Sequence, residues 1–137
     1  MIHSLENAKQ ILSQGGYTCV LCKGEKIFTS NERGVKPLVL WRKSENSFLG
    51  FSAADKVVGK GAAFIYVLLG VSAVYANVIS LPALDILQAH GIYVEYREAV
   101  SHIINRRGDG FCPVETAVSS VAIDKPEDAY KIIVNIV

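Results

Sequence analysis

Residues 48–69, FLGFSAADKVVGKGAAFIYVLL, contain the junction that decides the fold. The short apolar run Phe48–Ala53 is typical of a buried strand, and Asp55 precedes a helix that we predict over residues 56–69. That helix is apolar almost all round, which indicates that it is buried. A buried strand that leads into a buried helix is typical of an α/β sheet with helices packed on its faces.

Strands and helices alternate on both sides of this junction. Before it, Gly24-Glu25 separates two strand-like runs and predicts a tight antiparallel hairpin. A hairpin followed by alternating strands and helices predicts an α/β fold, a three-layer α-β-α arrangement with a mixed sheet of about five strands. The predicted elements, in chain order, are helix 5–14, strand 17–23, strand 26–30, helix 34–44, strand 48–53, helix 56–69, strand 71–79, helix 81–89, strand 92–96, a helix from residue 112 to about 121, and a last helix capped by Asp124.

Length and composition indicate a single domain over residues 1–137, with extra helices after about residue 111. The formal net charge of +1 gives no general attraction to nucleic acid or to acidic membranes. No apolar run reaches the length of about 18 residues that a membrane span needs, and the first residues lack the pattern of a signal peptide. The three cysteines form no disulfide framework, so the expected compartment is a reducing cytoplasm.

Residues 54–61, ADKVVGKG, are the first candidate site, because ligands of open α/β sheets bind where strands pass into helices. Asp55 is predicted to cap the helix, and Lys56 and Lys60 lie one turn apart, on one helix face. Two lysines in a first turn oppose the helix dipole. An anionic ligand held by the lysines and by free backbone N–H groups would offset that repulsion.

The glycines of this segment, Gly59 and Gly61, each lower helix stability by about 1 kcal/mol relative to alanine. We expect close approach of another backbone as compensation, and we predict Gly59 as a ligand-binding position. Two explanations without a ligand remain open for the lysines. One is internal pairing with Asp55, Glu95 or Glu115, and the other is a lysine that extends to water.

Residues 105–115, NRRGDGFCPVE, are the second candidate site. Cys112 comes just before a helix with proline at its first position, where a thiolate is favoured. As a catalytic nucleophile it would need a base within reach, and His102 is the nearest histidine in the sequence. The alternative is an ordinary helix start, in which Glu115 reaches back as a cap and Cys112 packs as a small apolar group.

The arginines and the turn of the same segment supply further ligand-binding candidates. Arg107, next to Arg106, is predicted to hold a phosphate or a carboxylate. Asp109 lies in a Gly-Asp-Gly turn of the kind that folds over a site. A solvated arginine pair and an ordinary tight turn remain open as alternatives.

The sequence predicts no metal site and no cofactor. Cys19 and Cys22 have C-x-x-C spacing, but residues three apart on a strand point to opposite faces, which favours packing in the sheet. The three histidines lie in no zinc-binding pattern. No Gly-x-Gly-x-x-Gly or Walker A loop follows a predicted strand.

Four segments of the chain resemble an uncharacterised prokaryotic family of unknown function in the cytidine-deaminase-like superfamily. The resemblance covers roughly residues 4–120 and implies the deaminase-like fold, whereas the family has no settled activity. The four segments are Arg33–Leu38, Asp55–Lys60, Tyr75–Ser80 and Cys112–Glu115.

The resemblance also implies where a site would lie. Working deaminases place His-x-Glu or Cys-x-Glu at the start of the helix after the hairpin, and Pro-Cys-x-x-Cys at the start of the next helix, to hold a zinc that activates water. Here these places contain Arg33–Lys36 and Ala54–Gly59, which offer neither a cysteine nor a histidine. The resemblance therefore implies a cleft between two helix starts without zinc-dependent deamination. The polar residues expected to fill it are Lys36, Asp55, Lys56 and Lys60.

Two functions follow, and whether the chain is an enzyme stays open. The first is binding of an anionic small molecule, a nucleotide or a sugar phosphate, around Asp55–Lys60. In a zinc-independent reaction there, Asp55 or Glu115 would act as base, Lys56 and Lys60 would bind the anion, and Cys112 would be the nucleophile. The alternative is a non-catalytic module that forms a homodimer or binds a partner protein. Its apolar C-terminal stripe, which either covers the core or forms that contact, is Ile132, Ile133, Ile136 and Val137.

Overall fold

A computed structural model of the chain describes residues 2–104 and 112–137. Helices and strands alternate as expected, and the hairpin is followed by strand–helix units. The described elements are α1 (Ile2–Gln14), β1 (Cys19–Lys23), β2 (Lys26–Ser30), α2 (Lys36–Lys43), β3 (Ser52–Val58), α3 (Lys60–Leu69), β4 (Ala73–Ser80), α4 (Leu81–Ala89), β5 (Tyr93–Val100), α5 (Pro113–Ala117) and α6 (Pro126–Val134).

The strands form a mixed five-stranded sheet in the order β2-β1-β3-β4-β5. β1 pairs antiparallel with both β2 and β3, whereas β3, β4 and β5 run parallel to one another. The predicted hairpin is confirmed, with Lys23 paired to Lys26 and Gly24 at a φ of +61°, which a residue with a side chain rarely adopts. The predicted α/β fold with a mixed sheet is therefore confirmed.

Helices cover both faces of the sheet, so the fold has three layers, with the sheet in the middle. α1 packs on one face, where Leu12, Val20 and Ala54 belong to a small apolar cluster. α2, α3, α4 and α6 contribute to the larger core on the other face. Cys19 belongs to the larger core and Cys22 to the smaller cluster, so their predicted opposite orientation is confirmed.

The boundary between β3 and α3 differs from the prediction. The strand extends to Val58, and the helix begins at Lys60 rather than at residue 56. Asp55 pairs with β1 on one side and with β4 on the other, so the backbone of this segment is hydrogen-bonded to two neighbouring strands. This pairing, together with the preference of Val57 and Val58 for strands, outweighs the helical pattern. The predicted burial of the helix is confirmed, since most residues of α3 are buried.

Other helix ends also shifted. Asp124 does not cap the last helix: α6 begins at Pro126, with Lys125 at the N-cap position and no side-chain cap. α5 ends at Ala117, short of the predicted residue 121. Within the C-terminal stripe, Ile133 is fully buried in the core and Ile132 packs against it, whereas Ile136 and Val137 are exposed. Within residues 2–104 and 112–137, the helices are too short or too polar to cross a membrane.

Candidate functional site

A cleft of about 850 Å³ opens where β2 and β3 end and β1 begins. Ligands of open α/β sheets bind at this edge, beyond the carboxyl ends of the parallel strands. Six segments of the described chain line the cleft. The sheet edge and the two helix starts contribute Thr18–Cys19, Asn31–Val35, Asp55–Val57 and Gly59–Ala62, except Lys60. The chain after β5 contributes Ile103–Ile104 and Cys112–Glu115.

Asp55 lies on the inner wall of this cleft and is only 9% exposed. Its Oδ2 accepts a hydrogen bond of 2.7 Å from the hydroxyl of Tyr66, and its Oδ1 accepts one of 3.2 Å from the backbone N–H of Val57. The prediction that Asp55 caps the helix is wrong, because the residue belongs to β3 and α3 begins five residues later. Asp55 instead fixes the end of the strand to the middle of the helix.

A buried thiol extends this contact into a network of three side chains. The sulfur of Cys19 lies 3.0 Å from the hydroxyl oxygen of Tyr66, and since that hydroxyl donates to Asp55, the thiol donates to the tyrosine. Burial, opposed by the hydrogen bond from Tyr66, raises the pKa of Asp55 to about 6. Burial, together with the charge of Asp55, raises the pKa values of Cys19 and Tyr66 well above their ordinary range.

Sequence reasoning missed Cys19 and Tyr66 as partners of Asp55. A tyrosine in an almost wholly apolar helix is a signal, because a buried phenol needs a hydrogen-bond partner. The identity of that partner depends on the pairing of β1 with β3, which places Cys19 opposite Asp55. These two residues are 36 positions apart in the chain. Local spacing carries no information about that register.

Glu115 has a role that differs from its predicted one. Its Oε2 accepts a 3.1 Å hydrogen bond from the backbone N–H of Gly61, so it caps α3 and not its own helix. A second, longer contact joins Oε1 to the hydroxyl of Ser80, at 3.4 Å. The carboxylate therefore lies at the N-terminus of α3, where the helix dipole favours negative charge.

The two glycines of the junction do allow close approach, although the approaching groups are side chains and not a backbone. A Cβ atom at Gly59 would lie 2.6 Å from the carboxyl carbon of Glu115. A Cβ atom at Gly61 would lie 2.5 Å from Cγ1 of Val114. A side chain at either position would therefore require Glu115 or Val114 of α5 to shift away from the start of α3.

The predicted lysine pair does not form. Lys56 lies on β3, is exposed and lines the cleft, whereas Lys60 opens α3 and donates a 2.9 Å hydrogen bond to the carbonyl of Ser119. The prediction that they share one helix face is wrong, because the strand extends to Val58 and only Lys60 lies in the helix. Lys36 lies outside the cleft lining, and its side chain is 60% exposed. Its Nζ lies 3.9 Å from Oε1 of Glu32.

Cys112–Glu115, the described end of the second candidate segment, meets the first segment, as the site hypothesis requires. Cys112 is half-buried, and it lines the same cleft as Asp55 and Lys56. His102, its predicted base, is not among the lining residues. The predicted ligand contacts of Arg107 and Asp109 fall outside the described residues. Within the described ranges, no group of three or more His, Cys, Asp or Glu side chains is arranged to hold a metal ion.

Comparison with known proteins places the chain in a family. Residues 7–137 match the family profile of TM1506, a domain of unknown function (DUF1893). The chain belongs to the DUF1893 family. A crystal structure of a DUF1893 family protein (TM1506) from Thermotoga maritima is similar to this DUF1893 domain, with a TM-score of 0.90 and 29% identity over 98% of this chain and 90% of that chain.

A second solved structure, the apo form of dCMP deaminase from the cyanophage S-TIM5, matches with a TM-score of 0.44 and 17% identity, over 72% of this DUF1893 domain and 95% of that chain. No curated protein matches. The expected cleft between two helix starts is present, since residues before α2 and at the start of α3 both line it. The second of these starts is Gly59-Lys60-Gly61 and not Ala54–Gly59, and it also lacks cysteine and histidine.

Proposed function

We propose that this DUF1893 domain binds a small molecule with an anionic group, of the nucleotide or sugar phosphate class, in the cleft at the carboxyl ends of the strands. One observation carries the proposal: a single 850 Å³ cleft combines a buried carboxyl, exposed apolar walls and two exposed cationic side chains. Pockets for small molecules have this composition, with a mostly apolar lining and a few convergent polar groups.

The anionic group is assigned to Lys56 and Arg33. Both side chains are exposed on the cleft lining, and among the described residues neither has a hydrogen-bond or ion-pair partner. The N-terminus of α3 is a poorer place for the anion than the sequence predicts, because the carboxylate of Glu115 already accepts the N–H of Gly61. A phosphate at that helix start would displace a charge that the chain itself supplies.

The body of the ligand is assigned to the apolar walls. Val57 is 46% exposed and Ile104 is 52% exposed, and both line the cleft. Val114 adds an apolar surface on the side of α5. A planar heterocycle or the carbon face of a sugar would remove these side chains from water. The proposal includes no zinc-dependent step, because the two helix starts supply neither cysteine nor histidine.

The test is a thermal-shift screen against nucleotides, nucleosides, sugar phosphates and zinc, with the Lys56→Ala variant beside the wild type. A ligand at about 100 times its dissociation constant adds about 2.7 kcal/mol to the free energy of unfolding, which gives a clear shift of the melting temperature. We expect at least one phosphate-bearing compound to shift the wild type, and we expect that shift to be lost in Lys56→Ala. The melting temperature of the ligand-free variant should stay within about 2 °C of wild type, since Lys56 is exposed.

Lys43→Ala is the matched control, since it removes an exposed lysine from the end of α2, outside the cleft lining. Its ligand response should equal that of wild type. A shift with zinc would overturn the metal-free part of the proposal. No shift with any compound, together with a dimer mass in solution, would favour the oligomerising module instead.

A further inference from the structure

We infer that the inner end of the cleft selects ligands that present an amino group, or another strong N–H donor, to the carboxylate of Asp55. The inference rests on the proposed function and adds to it the chemistry of the other end of the ligand. Together they define the ligand as a phosphate monoester that carries an amino group remote from its phosphate.

The first step is that Asp55 has no cationic partner. Its Oδ2 accepts a hydrogen bond from the hydroxyl of Tyr66, and its Oδ1 accepts one from the N–H of Val57. Hydrogen bonding from the thiol of Cys19 and from the N–H of Lys56 also lowers the pKa of this carboxyl. These donors are all neutral, and among the described residues no Lys or Arg side chain forms an ion pair with Asp55.

The second step is that this carboxyl faces the cleft. Asp55 is a cleft-lining residue, although it is nine-tenths buried, whereas its partner Tyr66 lies fully buried behind it. Water has little access to the carboxyl, so a donor on a ligand meets little competition from solvent there. A buried charge gains more from such a donor than an exposed one does.

The third step is the sequence of charges along the cleft. Among the described residues, three carboxyl groups line it: Glu32 is exposed, whereas Asp55 is buried and Glu115 is half-buried. The two cations of the lining, Lys56 and Arg33, are exposed. Glu115 lies at the N-terminus of α3, where the helix dipole offsets its charge, whereas Asp55 lies within a strand and has no such compensation. A ligand with a donor at one end and an anionic group at the other matches this order.

The physical driving force is the desolvation of Asp55. Burial raises the pKa of its carboxyl to about 6, so at neutral pH the group is largely ionised while poorly solvated. A ligand amine or amidine adds a charge-assisted hydrogen bond to that carboxylate. Tyr66 is the positioning residue here, because its hydroxyl fixes the orientation of the carboxyl without reaching the ligand.

The test measures dissociation constants by calorimetry for three pairs of compounds that differ in one amino group. The pairs are glucosamine 6-phosphate with glucose 6-phosphate, adenosine 5′-monophosphate with purine riboside 5′-monophosphate, and guanosine 5′-monophosphate with inosine 5′-monophosphate. The first pair represents sugar phosphates and the other two represent nucleotides, so the pair that discriminates identifies the ligand class. In at least one pair we expect the amino compound to bind about tenfold or more tightly than its partner.

Variants separate the two ends of the site. Asp55→Asn replaces the carboxylate with an amide of similar shape and should abolish the difference within that pair. Asp85→Asn removes an exposed carboxylate from α4, outside the cleft lining, and should leave the difference unchanged. Lys56→Ala should weaken both members of the pair by the same factor, because the phosphate is common to them.

The possible failures of the inference and of the proposed function differ. Equal binding within every pair, weakened by Lys56→Ala and unchanged by Asp55→Asn, overturns the inference and leaves the anion site in place. No binding by any of the six compounds overturns the proposed function and the inference together. If circular dichroism shows that Asp55→Asn does not fold, Asp55→Ser is measured in its place. That variant also removes the carboxylate, and it should also abolish the difference in affinity between the amino compound and its partner.

Discussion

Asp55 and Glu115 are two carboxyl groups that line one cleft, and the fold treats their charges in opposite ways. Glu115 accepts the N–H of Gly61 at the start of α3, where the helix dipole stabilises a negative charge. Asp55 lies within the edge of the sheet, 9% exposed, and burial raises its pKa to about 6. Position relative to the helix dipole and to water therefore separates a carboxylate whose charge a helix start offsets from a buried one that has no such compensation.

The largest expected effect on stability is at Asp55, through the pH dependence of unfolding. Because the folded chain holds the proton of Asp55 up to about pH 6, against the ordinary value of 3.8, wild type loses stability as pH rises from about 4 to about 6. That pKa difference corresponds to about 3 kcal/mol. Asp55→Asn has no such titration, so its free energy of unfolding relative to wild type should rise by about 3 kcal/mol between pH 3.5 and pH 7.5.

Urea unfolding at a series of pH values measures this difference. Asp85→Asn serves as control, because Asp85 is exposed and its removal should leave the curve of unfolding free energy against pH nearly parallel to that of wild type. Parallel curves for Asp55→Asn and wild type would show that Asp55 is not desolvated, and the contrast with Glu115 would disappear.

The next largest effect on the free energy of unfolding is expected at Glu115, where the substitution lowers stability. Glu115→Ala leaves the N–H of Gly61 without its charged acceptor, and should lower the free energy of unfolding at neutral pH by about 2 kcal/mol. Glu115→Gln keeps a carbonyl oxygen at the same place and should recover about half of that loss. Chemical denaturation of the three proteins at pH 7 measures both values. If both variants are as stable as wild type, the docking of α5 on α3 does not depend on this carboxylate.

The smallest effect concerns the partner that holds Asp55. Tyr66→Phe removes the hydroxyl that donates to Oδ2, a contact that lowers the pKa of Asp55. We therefore expect the pKa of Asp55 in this variant to rise by about 1 further unit, equivalent to about 1.4 kcal/mol. Carbon-13 NMR titration of the Asp55 carboxyl reports it directly. Tyr130→Phe, which removes a hydroxyl from α6 outside the cleft lining, should leave that titration unchanged.

Much of the fold could be predicted because its signals are local. Gly24 specifies a tight turn between two strand-like runs, and the alternation of strands and helices then implies a mixed sheet. The boundary at Val58 could not be predicted in this way. The segment Asp55–Val58 follows a helical pattern, and its pairing with β1 and β4 overrides that pattern.

The candidate site was predicted in part for the same reason. Asp55, Lys56, Cys112 and Glu115 do line one cleft, because strand ends and helix starts meet at the same edge of a sheet. Asp55 does not cap a helix, because it belongs to β3. Glu115 caps α3 rather than its own helix, and a hydrogen bond between residues 54 apart leaves no trace in local spacing.

The sequence by itself determined the α/β class, the hairpin and the buried α3, because hydrophobic periodicity, turn residues and apolar runs act within a few residues of the chain. That Cys112 and Lys56 line one cleft was decided by the tertiary structure. Only the tertiary structure decided that Glu115 caps α3, and that Cys19 and Tyr66 surround Asp55. Those pairings depend on strand register and helix docking, which bring together residues that the chain separates. The raised pKa of Asp55 follows from that packing, since its burial and its donor Tyr66 depend on how the strands and α3 pack.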